Sequence, residues 1–485
     1  MLARAVTHAV VGLDSRRVEI EVHIRGQSPA FAIVGLADRA VQEAKERVRS
    51  AVRCAELRWP EGRVVVNLAP AELRKEGSAF DLPIALTVLA AAGQIPRERL
   101  SEHASVGELA LDGRVRRVGG ALAVADGARR SGIAHLLCPA AAAPEAALTG
   151  ITVVPVTHLG EAARYLRGEV EIEPYVATNG RATPPTCHDL ADVRGQARGR
   201  RALEIAAAGR HNLLLGGPPG TGKTMLARRL PTILPRLGEA DALEVTRIHS
   251  VAGLLDPEHP LIVTPPFRAP HHTASAAAIV GGGPRLRPGE ASLAHQGVLF
   301  LDELAEFQRP VLEALRQPLE DGTLLIARAV GNVRFPAHFA LVGAMNLCPC
   351  GARGDPNSEC TCSPQRLARY RDKLSRALLD RFDLVVAMPR PRAADLADVA
   401  GESSAVVGAR VETARERLGN AVMRRNEAAD ALLTRAVERI PLSGRGRACV
   451  ARVARTIAAI AESDCVASEH VAEALTYRTP TEFAS

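Results

Sequence analysis

Apolar positions along this chain change their spacing three times. From the first residue to about 168, strand-like alternations such as VEIEVHI and RVVVNLAP trade places with alanine-rich helical stretches, and DRAVQEAKERVRSAVR carries its charges on one helical face. The run EIEPYVATNGRATPPTCHDLADVRGQ then breaks all periodicity with Pro, Gly, Thr and Asn, so 169–192 reads as a linker. Between 193 and 390 short aliphatic blocks read as buried strands. From 391 to 485 the spacing is helical, with ADALLTRAVERI and RACVARVARTIAAIAE as amphipathic stretches. The pattern predicts an α+β unit, a linker, an α/β unit and a helical unit, with no internal repeat.

The α/β unit opens on LLLGGPPGTGKTMLARRLP, where three leucines read as a buried strand and MLARRL resumes helical spacing. Between them Gly217, Pro218, Pro219, Gly220, Thr221, Gly222, Lys223 and Thr224 fit the phosphate-loop pattern in its required strand–loop–helix setting. Backbone N–H groups at the helix N-terminus would cradle the phosphates of a nucleoside triphosphate, Lys223 would reach their oxygens and Thr224 would ligate Mg²⁺. In GVLFLDELAEF a second buried strand ends in Asp302 and Glu303. Asp302 is placed to hold the Mg²⁺ and Glu303 to polarise the attacking water. FALVGAMN ends in Asn346, placed to orient that water. Arg381, in SRALLDRFDLVV, admits two readings: a local salt bridge with Asp380 or Asp383, or an arginine finger on a neighbouring subunit's γ-phosphate.

Together these residues resemble the AAA+ ATPases, and more narrowly the magnesium-chelatase-like branch that includes the YifB/ComM family. The resemblance covers nearly the whole chain through SVAGL (250–254), PFRAPHH (266–272), GGGPRLRPGEASLAHQGVLFLDE and LRQPLEDG. It implies an α/β AAA+ P-loop core with a C-terminal helical lid, preceded by an α+β Lon-protease/ribosomal S5 domain 2-like domain. It makes Arg381 the finger and Arg445, on the lid, the sensor-2 arginine, with Arg447 the alternative. It also implies nucleotide sites shared between subunits of a ring, most often a homo-hexamer. Seventy-nine positions separate Lys223 from Asp302, and the surplus falls where the helix-2-insert relatives carry their insert. In those relatives the insert and the hairpin before sensor 1, here GTLLIARAVGNVRFPAHF, face the ring's pore. Arg328 and Arg334 are then candidate contacts to a DNA backbone, the alternative being solvated arginines on a hairpin. His271 and His272 read as structural hydrogen-bonding residues rather than metal ligands.

Nine cysteines include Cys348, Cys350, Cys360 and Cys362 in CPCGARGDPNSECTC. Two C-x-C pairs separated by nine residues can close tetrahedrally on a structural Zn²⁺ that staples the loop after sensor 1, the alternative being buried free thiols. The other five cysteines are expected to be packed. In the N-terminal unit GELALDGRVRRVGGALAVADGARRSGIAHLLCP and RKEGSAFDLPIALTVLAA resemble the proteolytic domain of Lon. Where that pattern carries its lysine this chain has Leu122, and its nucleophile position holds Ala79, with Ser78 one place off. Lys75, the nearby amine, is expected on a solvated turn. A Ser–Lys dyad is therefore not expected.

Charge and composition narrow this little further. The net charge of +7 permits an anionic partner without requiring one, since no long basic run stands out. The first residues, MLARAVTHAVVGLD, lack the apolar core of a secretion signal, and no stretch reaches the roughly 18 apolar residues of a membrane helix, so a cytoplasmic protein without membrane partners is expected. Three functions compete: a DNA motor for branch migration or unwinding in recombination or natural transformation, a chelatase-like subunit remodelling a protein for metal insertion, and a Lon-like protease. Leu122 counts against the protease. The resemblance favours the DNA motor; the residues by themselves give a Mg²⁺-dependent ring ATPase with an anionic track.

Overall fold

The computed structural model describes residues 1–26, 28–36, 38–176, 188–283, 286–328, 331–392, 395, 401–420, 422–439 and 442–478, with no side-chain description at 327, 328 and 331. The N-terminal unit is a seven-stranded mixed sheet. Its order is Ala30–Val34, Arg63–Ala69, Asp14–Arg25, Leu2–Val11, His103–Ser105, His135–Pro139, Thr152–Val156. Leu2–Val11 and Asp14–Arg25 form an antiparallel hairpin in which Val11 faces Asp14. The alternation in VEIEVHI buries Val18, Ile20, Val22 and Ile24 on one face. Helix Arg39–Cys54 starts where the Asp38 carboxylate accepts the Val41 N–H at 2.8 Å. It lays Val41, Ala44, Val48, Ala51 and Val52 against the sheet. Helix Asp81–Ala91 is buried along its whole length.

The second unit is a five-stranded parallel sheet ordered Phe267–Arg268, Val298–Leu301, Ala340–Met345, Leu213–Gly216, Leu384–Ala387. In chain order the strands run 2-3-4-1-5, so the first strand, which carries the phosphate loop, lies between the fourth and the fifth. That is a switch point, where the carboxyl ends of parallel strands leave a crevice for a ligand. Helices Ser404–Asn420, Glu427–Arg439, Gly444–Ile460 and Ser468–Thr476 build the lid. Lid residues Val407, Val453 and Ile457 share one continuous core with Leu213, Leu215 and Met388 of the sheet unit.

The two units meet on helix Glu239–Ala252 and on the hairpin Thr323–Arg328/Gly331–Pro336. The Gly120 N–H donates to Ser250 O at 2.9 Å, Arg117 donates to Leu255 O at 2.8 Å, and Arg247 pairs with Asp126 at 3.3 Å. Val11 and Leu13 pack against the apolar cluster that includes Val333.

Several expectations are revised. Lys75 is not on a solvated turn: its side chain is fully buried and its ammonium donates to Pro70 O. Ser78 bonds Glu108 instead, so it and Lys75 have separate partners, and Leu122 lies buried in helix Ala121–Arg130. The last residues of the expected linker belong to the second unit, where Leu190 enters its core. Among the scattered cysteines Cys138 and Cys449 are buried but Cys54 and Cys465 are exposed, and Cys187 lies outside the described residues.

Candidate functional site

The phosphate loop leaves the strand Leu213–Gly216 and enters helix Lys223–Ala227. Gly220 and Gly222 take φ of +79° and +87°, which a side chain would oppose and which a phosphate-cradling loop needs. The Lys223 ammonium is folded onto its own loop, donating to Gly217 O and Pro218 O at 2.7 Å each and to Asn346 Oδ1 at 3.2 Å. Burial lowers it from 10.5 to about 8, against the opposing pull of Asp302. Thr224 Oγ1 donates to Asp302 Oδ2 at 2.8 Å, so hydroxyl and carboxylate are already paired at the point where both would ligate Mg²⁺. Asn346 thus stands beside the ammonium at the end of the neighbouring strand.

Glu303 occupies the left-handed region, φ 51° and ψ 47°, which a side chain normally avoids. Its N–H is held by Asp302 Oδ1 at 2.9 Å, and a 3₁₀ turn, Leu304–Glu306, follows. Its carboxylate is met by His272 Nδ1 at 3.1 Å. The His271 and His272 rings lie with centres 4.1 Å apart and planes tilted by 33°. His271 Nδ1 bonds Thr273 Oγ1 at 2.8 Å, whereas the partner of His272 is the candidate base itself. Neighbouring motif residues brace this corner: Arg268 grips Glu290 through two bonds of 2.6 and 2.8 Å.

Arg381 pairs with neither Asp380 nor Asp383. Those carboxylates are taken by Arg478 at 2.9 Å and Arg452 at 2.8 Å. Arg381 is largely buried, donates to Ala377 O at 2.7 Å and meets Glu320, the acid of LRQPLEDG. Arg445 reaches the same Glu320 oxygen at 3.2 Å. Burial and the nearby Arg445 and Arg316 charges lower the Arg381 guanidinium below its ordinary range. Among the described residues neither arginine is hydrogen-bonded to the phosphate loop of its own chain. Arg447 is exposed on the Arg445 helix. Arg334 is exposed on the hairpin opposite Leu325; the Arg328 backbone pairs with Gly331, while its side chain lies outside the described residues.

A cavity of about 1100 Å³ opens behind the phosphate loop, lined by Gly216, Pro218, Gln196, Met388, Arg390 and Arg410 among others. Gln196 ties its rim together, donating to Thr221 O at 3.1 Å and Pro389 O at 2.7 Å. The volume is large enough for a nucleoside beside the phosphate loop.

The four sulfurs of Cys348, Cys350, Cys360 and Cys362 lie within 4.8 Å of one another. Two separations are 3.3 Å (Cys348–Cys350) and 3.7 Å (Cys350–Cys360). A tetrahedral Zn²⁺ with Zn–S near 2.3 Å places its sulfurs about 3.8 Å apart, so the donor set fits. The Ala352 N–H and the neighbouring thiols lower Cys350 to about 6, toward the thiolate that ligates metal. Of His272, Glu320 and Gln196, the sequence reading missed the partners. Two of them sit inside quoted motifs, PFRAPHH and LRQPLEDG, but nothing local told which distant group each would meet.

A phosphate loop at a switch point, a hydrogen-bonded Thr224–Asp302 pair, a strand-end glutamate and a helical lid on a shared core define a P-loop ATPase of the AAA+ class. The chain matches the family descriptions "Magnesium chelatase, subunit ChlI" over residues 189–396, "Subunit ChlI of Mg-chelatase" over 20–142 and "Magnesium chelatase, subunit ChlI C-terminal" over 401–478. It is 46% identical over 498 residues to an uncharacterized protein of Mycobacterium tuberculosis, covering 98% of each chain. With the uncharacterized protein YifB of Escherichia coli it shares 41% over 489 residues, 97% of this chain and 96% of that one. With the competence protein ComM of Haemophilus influenzae it shares 42% over 505 residues, 98% of this chain and 97% of that one. The chain belongs to the YifB/ComM family of magnesium-chelatase-like AAA+ proteins, with a Lon-protease/ribosomal S5 domain 2-like fold in front. Among the described residues no helix is long and apolar enough to cross a membrane.

Proposed function

We propose that the protein is a ring-forming motor that hydrolyses Mg·ATP to move DNA, in branch migration or unwinding during recombination or the uptake of DNA by competent cells. The observation that carries this reading is the full-length likeness to a competence protein, N-terminal domain included. Lys223 and the loop N–H groups bind the triphosphate, Thr224 and Asp302 hold Mg²⁺, Glu303 takes the proton of the attacking water, and Asn346 helps place it. The metal supplies charge neutralisation on the phosphate oxygens. Arg381 and Arg445, bound together on Glu320 rather than on their own loop, fit a role on the nucleotide of an adjoining subunit. This supports a closed homo-oligomer, a hexamer on the family's pattern. Exposed Arg334, with Arg328, contacts the nucleic-acid backbone without reading bases. The thiol cluster holds a structural Zn²⁺, and the N-terminal domain is non-proteolytic.

The test is the ATPase rate of purified protein with and without single-stranded or branched DNA. Stimulation by DNA, with strand displacement or junction movement that needs hydrolysis, supports the reading. A rate indifferent to every DNA and raised instead by a protein partner overturns it in favour of a chelatase-like remodeller, the function carried by the names of the three matched family descriptions.

A further inference from the structure

The cysteine cluster lies against the phosphate loop. Asn346, whose side chain accepts from Lys223, is followed by Leu347, which lines the cavity, and then by Cys348. From there to Ser363, which caps helix Pro364–Arg371, no helix or strand forms. This segment nevertheless rests on the nucleotide loop. Gly351, at φ +80°, approaches Pro219 so closely that an added Cβ would stand 2.9 Å from its Cγ. Gly354 passes over Leu347 and Pro218. The nearly buried Asp355 carboxylate pairs at 3.1 Å with Arg390, a wall of the same cavity. Behind, the Tyr370 hydroxyl donates to Asn346 O at 3.1 Å.

Little within the segment holds that shape. The described backbone bonds inside it are short turns, such as Gly351 N–H to Cys348 O at 3.1 Å and Asp355 N–H to Ala352 O at 3.0 Å. Cys348 is its one buried side chain, and Cys350 is exposed. A loop this polar orders itself only if something closes it. Four thiolates at tetrahedral spacing do so on a soft divalent ion, leaving no open coordination position for catalysis. The Arg353 N–H already donates to Cys348 Sγ at 3.3 Å, the kind of outer contact that fixes a ligating sulfur.

We infer that one Zn²⁺ on Cys348, Cys350, Cys360 and Cys362 presses residues 348–362 against Pro218 and Pro219, so that metal occupancy controls nucleotide affinity. The inference rests on the phosphate loop binding nucleotide and adds the control. Such coupling is reciprocal: if zinc tightens nucleotide binding by some factor, nucleotide tightens zinc by the same factor.

The experiment uses the full-length, tag-free chain. Zinc per chain is measured by elemental analysis, Mg·ATP affinity with a fluorescent ATP analogue, and zinc release with a chromogenic chelator. One zinc per chain is expected, with thiolate-to-metal absorption on cobalt exchange. Chelation, or Cys360→Ser with Cys362→Ser, should weaken nucleotide binding about fivefold or more, and nucleotide should lower the metal's dissociation constant by a matching factor. Asp355→Ala should keep the zinc and lose most of the coupling. Circular dichroism checks the serine variant, and if it unfolds, chelated wild type decides. Protein that binds nucleotide but carries no metal and gives no cobalt spectrum overturns the zinc site alone. Stoichiometric zinc whose removal leaves nucleotide affinity within about twofold overturns the coupling. Protein that holds zinc yet binds no nucleotide sinks the phosphate-loop reading and the coupling together, leaving the metal site standing.

Discussion

Lys223 offers the sharpest quantitative test, because it is held in a state that favours neither its own charge nor the stability of the fold. Its ammonium is buried on two backbone carbonyls at 2.7 Å and lowered from 10.5 to about 8. At about 1.36 kcal/mol per pH unit this is about 3 kcal/mol, reduced to roughly 2 by water reaching the mouth of the loop. The folded value lies below the unfolded one, so the cost is fully present below pH 8 and fades as pH rises toward 10.5. Replacing the ammonium by an apolar chain, Lys223→Met, should therefore raise stability at neutral pH by up to about 2 kcal/mol while nucleotide binding is lost. A bound triphosphate acts in the opposite direction, favouring the charged amine and raising it above 8. Binding then takes up a proton. Affinity for Mg·ATP should be flat near neutral pH, where phosphate ionisation (near 6) is complete, and fall by up to about tenfold per pH unit above 8. Urea denaturation at about pH 7 and about pH 10 reads the first effect. Calorimetry in two buffers of different ionisation heat reads the second. No proton uptake near about pH 8.5, or a methionine variant less stable than wild type at neutral pH, would refute the reasoning.

Other outcomes follow from the same geometry. Glu303→Gln should bind Mg·ATP like wild type and lose about 10²-fold or more in single-turnover hydrolysis. His272→Ala frees the Glu303 carboxylate from its 3.1 Å partner, so basal hydrolysis should change several-fold with nucleotide affinity unmoved; an unchanged rate would show the pairing to be incidental. Arg381→Ala should cut hydrolysis about 10³-fold without weakening nucleotide binding. If the arginine serves a neighbour, mixing Arg381→Ala with Lys223→Ala chains should restore activity in a fraction of the sites, and no restoration at any ratio argues against trans action. Arg328→Ala and Arg334→Ala should leave basal ATPase intact, weaken DNA binding and lower its salt slope by about one for each arginine replaced. DNA binding identical to wild type in the double variant would remove the hairpin from the track.

How much of this was legible beforehand depended on sequence distance. The buried-strand blocks, the phosphate loop from Gly217 to Thr224 and the strand-ending Asp302–Glu303 could be read directly, because each is a contiguous run whose local chemistry dictates its conformation. The four cysteines were legible as a possible metal set for the same reason, lying within fifteen residues of one another. Lys75 was misjudged because its polar side chain gave no sign that the fold would enclose it.

The contacts that give the site its character were set by the tertiary structure alone. Crossover connections and the lid bring together groups far apart in sequence: His272 with Glu303, Glu320 with Arg381 and Arg445, Asn346 with Lys223. No periodicity records such meetings, since they depend on which strand ends share the carboxyl edge of the sheet. The cysteine loop belongs to the same class. Sequence determined that four thiols could close on an ion, but only the adjacency of the first and fourth strands laid that closure on Pro218 and Pro219.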